Sequence, residues 1–377
     1  MTTVANGDRP HKTVAANAVT CLVAVTLIVD PAATGAVTVR RSPLAELCAC
    51  LHSVEEAAHH PFSAGWVARV HASVDPGLLA RAATFAPLWS AFRARYMLPL
   101  TATGSRTIES ELAELAELAA LPIDDFTAMT VQALIGKNST ELMTLAAAEL
   151  MPRLRLISSS RLAIGMRVRG DPVGFRAELV DFLAAFAADA FAEEWAQVRS
   201  IIDRAAADRD RDIRRRGPQT LTDLPTHLPG DDPTRFVFDK LYAATAEVDG
   251  QRPCVLVPTA HGRPHFVIKH FPGYPVVVQY SANVATAPSV ESIRRTLAAL
   301  LDPTRLQVCY AILRTPVATA ELATQLRMTR PQVSRHLRSL REAGLVHTHR
   351  NGAAVYYQLD IEAIERIGPE LLSVLYR

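Results

Sequence analysis

The sequence predicts a mainly α-helical protein with small β parts, built as a large upstream region followed by a smaller C-terminal unit. Three observations carry this. Apolar residues recur at three- and four-residue spacing through most of positions 42–216. Between Pro253 and Tyr280 that period gives way to short β-rich runs separated by turn residues. From Ser289 onward, closely spaced helix signals lead into two strand-like runs around an Asn-Gly turn. A chain of 377 residues is long for one domain. Boundaries fall at 1–41 (an extension and β-hairpin), 42–216 (a helical domain suited to sensing an effector), 217–288 (a Pro-rich loop and short antiparallel sheet) and 289–377.

Composition narrows the class. With 49% hydrophobic residues and no segment of biased composition, the chain is a folded, helix-rich protein and not a disordered one. The net charge of +2 excludes nothing, but its distribution is informative. Positions 289–377 hold 12 Arg and no Lys against 8 acids, a net of +4, while the remainder carries −2. Positive charge therefore collects at the C-terminal end, as a nucleic-acid footprint requires. The cysteines (Cys21, Cys48, Cys50, Cys254, Cys309) are odd in number and dispersed, which argues against a disulfide framework and fits a reducing cytoplasm. Ala15 to Val29 loosely mimics a signal peptide but is too short to span a bilayer. Its β-branched run, the Pro and Gly break and the second run from Ala36 to Val39 fit a β-hairpin better.

In the helical region, Ser42 and Pro43 read as N-cap and first residue of a helix reaching the His59-His60-Pro61 break. Asp75-Pro76 opens another that carries Leu78, Phe85, Leu88 and Phe92 toward Pro99. Glu109 to Leu121 is amphipathic. Asp171-Pro172 starts the longest helix, whose rhythm from Phe175 to Ile202 runs out in the charged stretch Arg204 to Arg216. After a Pro-rich loop come Pro253 to Val257, His265 to Lys269 and Pro275 to Tyr280, which predict an antiparallel sheet. Ser281 to Pro288 reads as a linker.

The C-terminal unit can be read locally. Glu291 to Leu301 is one helix, and Asp302-Pro303 caps the next, which carries Leu306, Val308, Ile312 and Leu313. Thr319 is expected to cap a third helix ending at Leu326. After the turn Arg327-Met328-Thr329, a capping box (Thr329 with Gln332) starts a fourth helix at Arg330. There Val333, Leu337 and Leu340 share an inward face, while Gln332, Arg335, Arg338 and Ser339 fall opposite, flanked by Ser334 and His336. Guanidinium and short hydrogen-bonding groups on one face suit base edges and phosphates. Val346 to Thr348 and Val355 to Tyr357 form strands around Arg350-Asn351-Gly352, a wing with Arg350 and Asn351 near its tip. The unit is thus a winged helix-turn-helix expected to bind double-stranded DNA.

This segment resembles the ArsR-type regulators. Leu301-Asp302-Pro303-Thr304-Arg305, Glu321-Leu322-Ala323, Gln332 to Leu337, Leu340 to Val346 and Val355-Tyr356-Tyr357 carry the likeness in order. The resemblance implies a homodimeric repressor that leaves DNA when an effector binds, with Arg330, Ser334 and Arg335 at base-contacting positions. Metal at that family's usual sensor positions is not expected: Thr315 to Gln325 has no Cys, and Ile361 to Tyr376 lacks the His and acid ligands of the family's other common sensor site. The upstream part is similar to an N-terminal domain of unassigned function fused to such wings in actinobacterial regulators, through Ser42 to Leu47, His59-His60-Pro61, Leu256-Val257-Pro258 and Gln279-Tyr280.

Other clusters weigh less. Cys48, Cys50 and His52 are soft ligands, but positions i and i+2 on a helix point about 200° apart. His52, Glu56 and His60 share a helical face and fit a surface or capping role. His261, His265 and His270 lie with Lys269 in the β-rich segment, where loops collect histidines without purpose. Trp66, Phe85, Trp89, Phe92, Tyr96, Phe182, Phe186 and Trp195 read as core, some of them lining an effector pocket. No GxGxxG, P-loop, HExxH or GxSxG signature is present, so no enzyme activity, cofactor, metal or membrane is expected. Two readings compete with a cytoplasmic, ligand-responsive regulator: a small-molecule enzyme with a DNA-binding tail, and a winged helix serving as a protein-interaction module.

Overall fold

The computed structural model describes residues 24–90, 92–102, 113–136, 147–240, 242–282, 290–351 and 354–375. Cys21, the start of the helix expected from Glu109, most of the linker after Ser281, Gly352 and Tyr376 lie outside them.

Two strands open the described chain, β1 (Ala24–Val29) and β2 (Val37–Val39), and they do not form the expected hairpin. In one sheet the order is β3-β4-β1-β5, with β3 (His227–Leu228), β4 (Arg235–Asp239) and β5 (Ala244–Val248). There β1 runs antiparallel to β4, with Leu27 opposite Phe236, and parallel to β5. In the other the order is β2-β6-β8-β7, with β6 (Cys254–Thr259), β7 (Val267–Lys269) and β8 (Val276–Ser281). The antiparallel sheet predicted from Pro253 to Tyr280 is therefore mixed: β2–β6 and β6–β8 are parallel, and only β7–β8 is antiparallel. Burial explains both corrections. All six residues of β6 are buried, as are Val25, Thr26 and Leu27, so β6 is covered on both faces and β1 is covered over its middle. Such strands seek central positions, including parallel ones, instead of the half-solvated face of a hairpin.

The helices follow the periodicity. Ser42 Oγ accepts from Ala45 N to cap α1 (Pro43–Glu55). Next come α2 (Ala64–Ser73) and α3 (Pro76–Phe85). The last ends well before Pro99, in a 3₁₀ turn, Ala86–Leu88, because Pro87 cannot donate to the preceding turn. α4 (Ala113–Ala120), α5 (Ile123–Ile135) and α7 (Ser159–Gly170) pack on α8 (Pro172–Phe186), with α6 (Ala147–Ile157) lying on α5 and α7. A π-helical turn, Ala187–Phe191, joins α8 to α9 (Ala192–Arg216), which persists through its charged end on the pairs Asp208–Arg211, Asp210–Arg214 and Asp212–Arg215. The aromatics expected in the core are buried there, with Phe182, Phe186 and Tyr96 fully so. Among the described residues no single helix is long and apolar enough to cross a membrane.

The C-terminal unit comprises α10 (Val290–Leu300), α11 (Pro303–Ala311), β9 (Val317–Ala318), α12 (Thr319–Gln325), α13 (Arg330–Glu342), β10 (Val346–Asn351), β11 (Ala354–Leu359) and α14 (Ile361–Leu375). Thr319 is the first residue of α12 and not its cap. Ala318 caps it without a side-chain bond, since Val317–Ala318 is paired with β11.

Candidate DNA-binding surface and an internal histidine cluster

The start of α13 is fixed by hydrogen bonds that its sequence encodes. Thr329 N donates to Gln332 Oε1 at 2.9 Å, and Gln332 N donates to Thr329 Oγ1 at 3.4 Å, closing the capping box. The Gln332 amide oxygen is therefore committed to the cap, and its NH₂ group is what it can offer outward. Val333, Leu337 and Leu340 are buried against Val308, Ile312, Leu322 and Leu345. Arg330, Gln332, Ser334, Arg335 and Arg338 are exposed, and His336 and Ser339 are half-buried. Six arginines but one acid, Glu342, lie between Arg327 and Arg350.

Gly344, at φ +71°, ends the helix and turns the chain into β10. The antiparallel β10–β11 pair places Arg350 opposite Val355 and Asn351 opposite Ala354, and Arg350 is exposed. On the approach to α13, Asp302 Oδ1 accepts from Thr304 N and Arg305 N at 2.8 and 3.1 Å. Those backbone donors, then Arg305 and His336, hold its carboxyl below the usual range. His336 thus lies near Asp302, at the margin of the exposed face. Leu306, expected inside, is 50% exposed, because the inward face of α11 is supplied by Val308, Cys309 and Ile312.

Residues 23–286 match a model described as a family of unknown function (DUF5937), and residues 302–348 match the bacterial regulatory protein, arsR family. The chain belongs to the DUF5937 family. Its C-terminal unit is an ArsR-family helix-turn-helix domain. The chain is 38% identical over 68 residues to the HTH-type transcriptional regulator KmtR of Mycobacterium tuberculosis, covering 18% of this chain and 52% of that protein. To the HTH-type transcriptional regulator Rv2034 of the same organism it is 36% identical over 77 residues, covering 20% of this chain and 72% of that protein. A solved ArsR-like transcriptional regulator from Rhodococcus sp. RHA1 aligns with 22% of this chain and 76% of its own, at 26% identity and a TM-score of 0.21. The chain thus spans about half the length of KmtR, and each of these likenesses covers about a fifth of this chain.

Within the DUF5937 region the structure assembles a group that local reading did not. His52 from α1 and His60 beyond it meet His265, which stands between β6 and β7. His52 Nε2 and His265 Nε2 are 2.9 Å apart, and His60 Nδ1 lies 2.7 Å from the Arg263 carbonyl oxygen. His52 and His60 are 3% and 1% exposed. Cys48 and Cys50 do not join them, and burial raises both thiols above their ordinary values. Cys50 instead adjoins Glu46 and His261. Glu46 accepts from Thr259 Oγ1, Ala260 N and His261 N, and lies 2.8 Å from His261 Nδ1, while His261 Nε2 lies 3.0 Å from Glu194. Burial pulls the His261 imidazole down, but Glu46 and Glu194 together outweigh it and raise its pKa. That network is internally satisfied, a clamp between α1, α9 and the turn after β6.

Beside the three histidines is a cavity of about 120 Å³, lined by His52 and His265 and by Trp89, Arg93, Lys240 and Lys269. No Asp or Glu is among its described lining residues. Arg93 donates to Gln279, Lys240 donates to the Phe266 carbonyl, and Lys269 lies over the Phe92 ring. Burial holds the Lys269 ammonium well below its ordinary pKa, with Arg93 and Lys240 reinforcing the shift. Two of the eight aromatics read as core, Trp89 and Phe92, line this cavity. The sequence-level signal for it was the crowding of His261, His265, Lys269 and His270 into ten residues.

Proposed function

We propose that this chain is a sequence-specific DNA-binding transcriptional repressor that works as a cytoplasmic homodimer and responds to a small-molecule ligand. The observation that carries the reading is the open outer face of α13, where exposed Arg330, Arg335 and Arg338 surround Ser334 and Gln332 above a buried Val333–Leu337–Leu340 ridge. Arg330, Ser334 and Arg335 are its base-reading residues, and Gln332 adds its free NH₂ group. Arg338, Ser339 and His336 serve neighbouring contacts, with Arg350 and Asn351 following the backbone beside the wing. The names of the relatives, all transcriptional regulators, support the same role. The ligand's place is the cavity at Arg93 and Lys269.

The test is binding to genomic fragments flanking the chain's own gene, followed by fluorescence anisotropy. Arg335→Ala is expected to weaken the specific complex by about 1–3 kcal/mol and to relax base preference at one position. Arg350→Ala should weaken all sequences alike and lower the salt slope by about one. Indifference to every duplex at low ionic strength overturns the reading. A reporter that falls when the chain is supplied separates repression from activation.

A further inference from the structure

We propose that His52, His60 and His265 form a binding site for a divalent transition ion of the zinc class, with an open coordination position facing the cationic cavity and filled by a small anion. The site is independent of the DNA reading and is tested without DNA.

The geometry starts with tautomers. A carbonyl oxygen only accepts, so the 2.7 Å contact places a proton on His60 Nδ1 and leaves its Nε2 as a lone pair. Support of a ring N–H by a backbone carbonyl is the usual way a protein orients a metal-binding imidazole. One ligand atom from each of the three histidines lies within 4.8 Å of the others, and His52 Nε2 to His265 Nε2 is 2.9 Å. Tetrahedral zinc with Zn–N near 2.0–2.1 Å needs nitrogens roughly 3.3 Å apart. The 2.9 Å contact is closer than that and holds a proton on one of the two Nε2 atoms, so an ion binds by displacing that proton while the rings part by a few tenths of an ångström. The ring centroids stand 4.7, 4.8 and 5.1 Å apart, three mutual contacts among imidazoles drawn from two distant parts of the chain. A second cluster among the described residues, Glu46–Cys50–His261, is consumed by its own hydrogen bonds and carries no such proposal.

The charge around the site then defines its second ligand. Three neutral imidazoles leave a bound ion with its full double charge, close to the buried Arg93 and Lys240 side chains. Like charges so placed oppose the ion unless an anion accompanies it. Three histidines leave a fourth tetrahedral position, and His52 and His265 both border the cavity. Arg93 Nε and Trp89 Nε1 are buried and have no hydrogen-bond partner among the described residues, although both side chains line this space. Each is a donor suited to an anion's oxygen. The cavity, about 120 Å³, has room for a small anion such as a carboxylate or phosphate together with water.

The experiment uses the full chain, stripped with chelator, reduced, and titrated with cobalt(II) and zinc in perchlorate and then in acetate. One equivalent is expected, with the intense visible bands of tetrahedral cobalt. Acetate should tighten binding and change those bands. His60→Ala and His265→Gln should each lower affinity by more than about 100-fold, since losing even a supporting contact costs about 10–100-fold. Arg93→Met should retain the ion but weaken the acetate response about 10- to 100-fold. Thermal melting of each variant confirms that it folds, and His52→Gln serves where His60→Ala does not. Absence of binding, or binding that survives loss of His60 and His265, overturns the metal site. Stoichiometric binding with identical bands and affinity in both salts overturns the anion.

Discussion

At the scale of single residues, burial decides which groups can answer to pH. His270 is held at about 4, first by burial and then by Lys269 and Arg95. Below its ordinary value of 6.5 the unfolded chain takes up a proton there, and the folded chain resists until about 4. Stability is therefore lost as pH falls through this window and is constant on either side of it. Each pH unit is worth about 1.4 kcal/mol, so His270 alone withdraws roughly 3 kcal/mol between pH 7 and 4. His261 has the opposite sign: its carboxylate partners raise it, so its contribution is present in acid and fades as pH rises through its folded value. The expected outcome is that the stability difference between His270→Asn and the parent, measured by urea unfolding, moves in the variant's favour as the pH drops. A difference that stays level from pH 7 to 4 shows that the imidazole is not buried neutral.

At the scale of elements, what the sequence made legible was local. The capping box at Thr329, the ridge of Val333, Leu337 and Leu340, and the hairpin at Arg350 are each specified by residues within a few positions, and each is where the residues placed it. Cap strength gives a prediction here. Thr329→Ala should cost about 1 kcal/mol at the start of α13, and Thr329→Ser close to nothing. Hydrogen exchange of the α13 amides reads this as opening about fivefold more frequent in the Ala variant. Equal exchange in both would mean that tertiary packing alone fixes the helix start. Strand pairing was not legible, because the partners are remote: Leu27 meets Phe236 more than two hundred residues later, and Val37 meets Cys254. A period-2 run announces a strand but names no neighbour. The histidine cluster failed for the same reason. His52 and His60 look like surface residues of α1 until the turn after β6 delivers His265 onto them.

At the scale of the whole molecule, the arginine face of α13 would, on the proposed reading, cover one half-site, and a second copy would supply the other at about 34 Å. Exposed apolar side chains offer a surface for the proposed dimer. Leu301, Leu306, Tyr310, Ile361 and Leu375 are 80%, 50%, 82%, 50% and 61% exposed, and all lie in the C-terminal unit, on α11 or at the ends of α10 and α14. Helices α10 and α14 also pack on each other, so their outer surfaces can act together. The proposed dimer would cover this set. Leu306 and Tyr310 are one helical turn apart on α11, so charging both should disrupt it. Sedimentation of the parent is expected to give a dimer, and Leu306→Glu with Tyr310→Glu a monomer whose circular dichroism is unchanged. Because the monomer holds one half-site, its affinity for a palindromic operator should fall at least 100-fold while its affinity for an isolated half-site is kept. A parent that sediments as a monomer at micromolar concentration, or a charged variant that remains dimeric, removes this surface from the assembly and requires the second reading head to come from elsewhere.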